Sequence, residues 1–171
     1  MHEHEIDPEG RQICSTTGEA PSKVRAEQTE PTGQHKAYIV LCEEERAKGF
    51  VRPYRDSYKH VGPAGPKDPL RDLTEEQQAL FGGNGYVKFE AALVSEDGNT
   101  KTYGPSGRFW TQADLDAVGK GCGSVTTMGR ALSETYARDP KFYGATFCCA
   151  CNRHLPVAEF VWTADGETVG S

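Results

Sequence analysis

The stretch 145-ATFCCACNRHLPVAEFVW-162 places three cysteines in four positions, then a histidine, then a short apolar run. Cys148 and Cys151 have the C-x-x-C spacing of a knuckle, a tight turn in which two thiolates face one ion. Such a turn needs a residue that tolerates left-handed backbone just after the second cysteine, and Asn152 stands there. Cys149 has the wrong offset for the pair and reads as a buried or spare thiol. Cys148 and Cys151 are therefore the first two candidate ligands of a structural Zn2+, which is closed by four ligands.

The other two ligands must come from elsewhere in the chain. Cys122, in "GCGS", is the third candidate. Flanking glycines allow close backbone approach, and a helix predicted from about Val125 would present its positive end to a thiolate. His60, in "SYKHVG", is the fourth, in a stretch that reads as irregular loop. Cys42, at a strand end, and His154, three past Cys151, are alternatives, with Cys14 and His35 behind them. Two other readings stay open. A redox C-x-x-C needs a helix after a strand, and the proline in "NRHLPVAEF" opposes one. Plain core cysteines are the other, as an ordinary surface histidine is for His60.

Composition bounds the rest. The chain has 171 residues, enough for one domain with a real core. Mean hydropathy is −0.63, low for a chain packed along its whole length. Nineteen glycines and ten prolines favour loops over long helices. A net charge of −6 lacks the electrostatic footprint of a nucleic-acid binder. No run is apolar enough to span a membrane, and the polar start "MHEHEIDPEG" is unlike a signal peptide. A cytoplasmic location follows as the expectation, with the six cysteines as ligands or core residues before disulfides.

Residues 1–34 are rich in Glu, Pro, Thr, Ser and Gly and read as a flexible or partner-held arm. His2 and His4, beside Glu3 and Glu5, read as a solvated terminus. Residues 35–171 read as a single α+β domain: β-hairpins, a few short helices and a zinc knuckle. "AYIVLC" (37–42) is a strand, and "EEERAKG" two helical turns closed by Gly49. Thr74 with Gln77, and Thr111 with Asp114, mark capped helices. "YVKFEAALVS" (86–95) is a strand with Val87, Phe89, Ala91 and Leu93 on one face, followed by a turn at Asp97-Gly98. Val125, Met128, Leu132 and Tyr136 form a helical stripe, and a C-terminal hairpin turns at Asp165-Gly166.

"FCCACNRHLPVAEFVW" resembles zinc knuckles of treble-clef and HNH-associated proteins, over residues 147–162. An HNH nuclease would imply paired histidines and an asparagine at a ββα-metal site; the sequence has no adjacent histidine pair. More broadly, "SYKH", "GRFWT", "CGSVTTMGRALSETYARDPKFYGATFC" and "EFVW" resemble uncharacterised bacteriophage and bacterial proteins across much of 50–171. That resemblance implies a phage-related origin without an assigned chemistry.

Two functional expectations follow. One is a zinc-stabilised protein-interaction protein, a virion or capsid accessory component or a host-directed inhibitor. The arm and the aromatic loop "KFYG" (Phe142, Tyr143) would be its contact surfaces, with a viral or host assembly as partner and no membrane. The other is a treble-clef or HNH-like nucleic-acid-binding protein or nuclease. It requires Arg52, Arg55, Lys59, Arg108, Arg130, Arg138 and Lys141 to converge. Neither "GGNG" (82–85), which lacks a following Lys-Ser/Thr, nor Ser124, Thr126 and Thr127 makes a catalytic motif.

Overall fold

A computed structural model describes residues 3–24, 28–90 and 108–171. His2, Ala91, Leu93 and the Asp97-Gly98 turn lie outside the described residues. In chain order the elements are β1 (Glu5–Ile6), β2 (Gln12–Ser15), β3 (Ile39–Leu41), α1 (Glu43–Arg46), β4 (Ser57–His60), β5 (Leu70–Asp72), α2 (Glu75–Phe81), β6 (Tyr86–Glu90), β7 (Arg108–Thr111), α3 (Gln112–Ala117), β8 (Val125–Thr127), α4 (Arg130–Arg138), β9 (Ala145–Cys148), β10 (Arg153–Pro156) and β11 (Phe160–Trp162). The class is mixed α+β, with short helices and small antiparallel sheets. The chain divides into two compact units, Met1–Val61 with Gly121–Ser171, and Gly62–Lys120.

Among the described residues the larger unit holds three sheets. One is β1-β2-β3, built largely from residues expected to be an arm. Hydrogen bonds hold its β1–β2 part, where few apolar side chains are buried. Asp7 Oδ1 accepts the backbone N–H of Glu9 (3.0 Å) and Arg11 (2.8 Å), closing the turn between β1 and β2. Arg11 Nη1 reaches Asp139 at 2.6 Å. Cys14 on β2 is disulfide-bonded to Cys42, just past β3. Two of the six cysteines are therefore neither ligands nor free thiols.

The second sheet is β11-β4-β8, with β4 central. Tyr58, Phe160 and Trp162 from it meet Tyr136, Cys148 and Val169 in the buried core. Trp162 stands edge-on to Tyr58 and Tyr136, at 6.1 and 5.4 Å between ring centroids. The C-terminal turn forms as expected: Gly166 has φ 75°, and its N–H bonds Trp162 O at 2.8 Å. The third sheet is the hairpin β9–β10, in register from Cys148 opposite Arg153 to Ala145 opposite Pro156.

Two expectations here change. The predicted helix from Val125 begins instead at Arg130, because Val125-Thr126-Thr127 is a β-branched run that pairs with β4. Val125 of the supposed stripe is half exposed, and α4 buries Ser133, Thr135, Tyr136 and Ala137. The small hydroxyls on that face are satisfied within the helix: Ser133 donates to Gly129 O and Thr135 to Ala131 O. In the "KFYG" loop Phe142 and Tyr143 are partly covered. Tyr143 packs on Tyr136 and donates its hydroxyl to Ile39 O at 2.6 Å.

The smaller unit carries the antiparallel sheet β5-β6-β7 with α2 and α3. Both capping boxes form, Thr74 with Gln77 and Thr111 with Asp114. Val87 and Phe89 do not share a face: a bulge between Tyr86 and Lys88 leaves Val87 exposed and Phe89 buried. Buried Glu90 accepts Asp68 N (2.9 Å) and Trp110 Nε1 (2.8 Å). Burial opposes its charge, but these donors outweigh burial and hold its pKa below the usual carboxylate value.

Candidate metal centre

The β9–β10 turn is the knuckle. Asn152 takes the left-handed conformation (φ 57°) that the position demands, the one non-glycine residue with positive φ among those described. Its N–H bonds Cys148 O at 2.9 Å, closing the turn. Cys148 ends β9 and is completely buried in the core, whereas Cys151, on the turn, is only partly covered.

His60 ends β4 opposite Phe160, on a strand and not in the irregular loop expected of it. The ring is buried and lies 4.9 Å from the Phe160 ring. Its Nε2 is 3.0 Å from Glu159 Oε1. Its Nδ1 faces the other way, 3.6 Å from Cys151 Sγ and 3.2 Å from the backbone N–H of Cys122. Gly123 N and His60 O, and His60 N and Ser124 O, tie the Cys122 segment to the end of β4. Gly123 has φ 74°, which lets the chain turn there.

Cys122 Sγ comes to rest 3.4 Å from Cys148 Sγ. The ligand atoms of His60, Cys122, Cys148 and Cys151 all lie within 4.8 Å of one another, a group able to hold a metal ion. A tetrahedral ion with bonds of about 2.0–2.3 Å sets its ligand atoms roughly 3.3–3.8 Å apart. The observed 3.4 and 3.6 Å separations fit that geometry.

Electrostatics agree with a thiolate-bearing site. The Cys122 pKa is lowered to about 6, first by the backbone N–H of Ser124, against burial, and further by His60 and Cys148. No helix end contributes, since β8 follows Cys122. Cys151 is pushed up to about 11, by the Cys148 sulfur first and then by burial. Crowded sulfurs thus resist a second and third negative charge. A bound cation removes that resistance, because it favours every thiolate around it. For His60, burial disfavours the charged ring, but Glu159 and Cys122 outweigh it and raise the pKa.

The remaining candidates go elsewhere. Cys42 and Cys14 are consumed by their disulfide. His154 sits on β10 and stacks on His35, ring centroids 3.8 Å apart, with Tyr38 Oη 2.9 Å from its Nε2. These two histidines, scattered in sequence, are a stacked pair in space. Cys149 is exposed, its Sγ 3.4 Å from Val125 O. Glu159, on the Val157–Glu159 3₁₀ turn, meets His60 across 99 residues of chain, a relation that no local spacing announces.

Of the basic residues that a nucleic-acid reading requires, Arg55 is buried and paired with Asp165 (3.0 Å) and Glu167 (2.9 Å). Arg130 pairs with Glu134 at 3.2 Å. Arg108, in the smaller unit, lies over the Trp110 ring at 3.8 Å. No helix among the described residues is long and apolar enough to cross a membrane. Compared with protein-family models, curated proteins and solved structures, the chain matches none.

Proposed function

We propose that His60, Cys122, Cys148 and Cys151 bind one structural Zn2+ and that the protein works through protein contacts. The observation carrying this reading is the complete set of four mutually adjacent donors, three of them sulfur. Four protein ligands fill a tetrahedral ion and leave no position for a substrate. Sulfur donors favour zinc over magnesium or calcium. The ion would join the end of β4, the 121–124 segment and the β9–β10 turn, substituting for apolar core where loops are many.

The resemblance of residues 50–171 to phage proteins supplies the setting: a virion or capsid accessory component, or a host-directed inhibitor. The Cys14–Cys42 disulfide favours the virion over the reducing host cytoplasm. Phe50, Val51 and Tyr54, 45–57% exposed in one short segment, are the surface offered to a protein partner.

Metal analysis of the purified protein tests the reading. One equivalent of zinc is expected in the wild type, and loss of it in Cys122→Ser, Cys151→Ser and His60→Ala. A metal-free wild type with unchanged stability in chelator sinks the proposal. Co-sedimentation with assembled particles, lost in a Phe50→Ser/Tyr54→Ser variant, tests the contact surface. Salt-dependent DNA binding at low ionic strength would instead favour the nucleic-acid reading.

A further inference from the structure

Resting on the zinc reading above, we propose that Glu159 is a positioning residue of the centre, selecting Nδ1 of His60 as the ligand atom. A neutral imidazole has one N–H and one lone pair. Glu159 Oε1, a carboxylate acceptor 3.0 Å from Nε2, takes the N–H on that side. The lone pair then belongs to Nδ1, which accepts the Cys122 backbone N–H at 3.2 Å and lies 3.6 Å from Cys151 Sγ, a bond that the ion would replace.

Glu159 is held for this task from two directions. Its backbone carbonyl accepts the N–H of Val61, the residue after His60, at 2.9 Å. The Val157–Glu159 turn sets its side chain beside the His60 ring, which leaves only 17% of that side chain exposed. The ring is further confined by Phe160 at 4.9 Å, the residue following Glu159. Backbone and side chain of one residue thus fix both the strand end and the tautomer at its tip.

A carboxylate on the far nitrogen orients a metal-binding imidazole and raises its basicity, and its loss costs about 10- to 100-fold in metal affinity. Cys148 and Cys151, paired on one turn, need no such help. His60 comes from a distant strand and presents one of two nitrogens, so an unselected ring would spend part of its population with a proton where the ion belongs.

The experiment uses the full chain, with Co2+ and Zn2+ as probes, on wild type, Glu159→Gln and Glu159→Ala. Chelator competition should show about a 10- to 100-fold weaker affinity for Glu159→Ala, with Glu159→Gln, which keeps a neutral acceptor, in between. Long-range proton–nitrogen NMR of the zinc-loaded wild type should show the His60 proton on Nε2 and the metal on Nδ1. If Glu159→Ala does not fold, Glu159→Gln and the wild-type NMR carry the test. Equal affinities in all three proteins, or metal on Nε2, overturn the assignment while leaving the zinc reading intact. A wild type that binds neither ion overturns both.

Discussion

The larger unit contains two regions organised around cysteine sulfur. The β1-β2-β3 sheet is closed by Cys14–Cys42, whereas the β9–β10 knuckle brings Cys148 and Cys151 to His60 and Cys122. The first is a covalent link between two points of the chain. The second gathers three separate segments around four donor atoms, and with zinc bound as proposed its stability would depend on ligand protonation and on the ion. The contrast is between two ways of adding a constraint to one unit beyond its buried apolar side chains. One acts chiefly on the unfolded chain, by restricting it; the other adds stability only when the ion is present.

The largest expected effect comes from stripping the ion. Structural zinc contributes on the order of 10 kcal/mol in small metal domains. A strong chelator should therefore abolish cooperative unfolding of the larger unit, and near-ultraviolet circular dichroism of Trp162 and its tyrosine neighbours should collapse. A chelator-resistant signal would put the knuckle on the same footing as the disulfide-held sheet and erase the contrast.

Removing the disulfide should do less. It closes a loop with a sequence separation of 28, for which chain-entropy arguments give roughly 3–4 kcal/mol. A Cys14→Ala/Cys42→Ala protein should be destabilised by about that much in denaturant titrations, with its metal content unchanged. Loss of metal together with the disulfide would show that the two fastenings are coupled.

The smallest effect is a proton. Burial first, and then His35, lower the His154 pKa from 6.5 to about 4. Between those values the unfolded chain binds a proton on this ring that the folded one does not. Stability is then fully present above 6.5 and declines as the pH falls toward 4. Replacing the ring by Phe, in His154→Phe, should flatten part of that decline. Thermal melts of both proteins at matched pH, on metal-loaded samples, check it. Identical pH profiles would show that the stacked histidines carry no titration-linked stability.

The sequence made the knuckle legible because its signals are local: a three-residue spacing and a following Asn152. Both capping boxes were legible for the same reason. What was missed is non-local or masked by polarity. Nothing near Cys14 or Cys42 announces their pairing. The β1–β2 turn is held by the Asp7 carboxylate, not by apolar side chains, so a composition argument passes over it. Glycines around Cys122 and a following apolar stripe suggested a helix, but Val125-Thr126-Thr127 has strand chemistry and a partner in β4. His60 is aimed at the cysteines by strand register opposite Phe160, not by the loop that its flanking residues suggest. Glu159 was not paired with it because that relation exists only once β4 and β11 are side by side.

Gly33 sits directly above the knuckle. A β-carbon built on it would lie 2.1 Å from the carbonyl oxygen of Asn152, and its backbone is in the left-handed region (φ 88°). The only substituent that fits between these two strips of main chain is a hydrogen atom. A single methyl group, Gly33→Ala, is consequently a built-in wedge: it prises the pre-β3 segment from the cysteine turn without touching any sulfur. A fragment starting at residue 35 would lose this main-chain approach altogether.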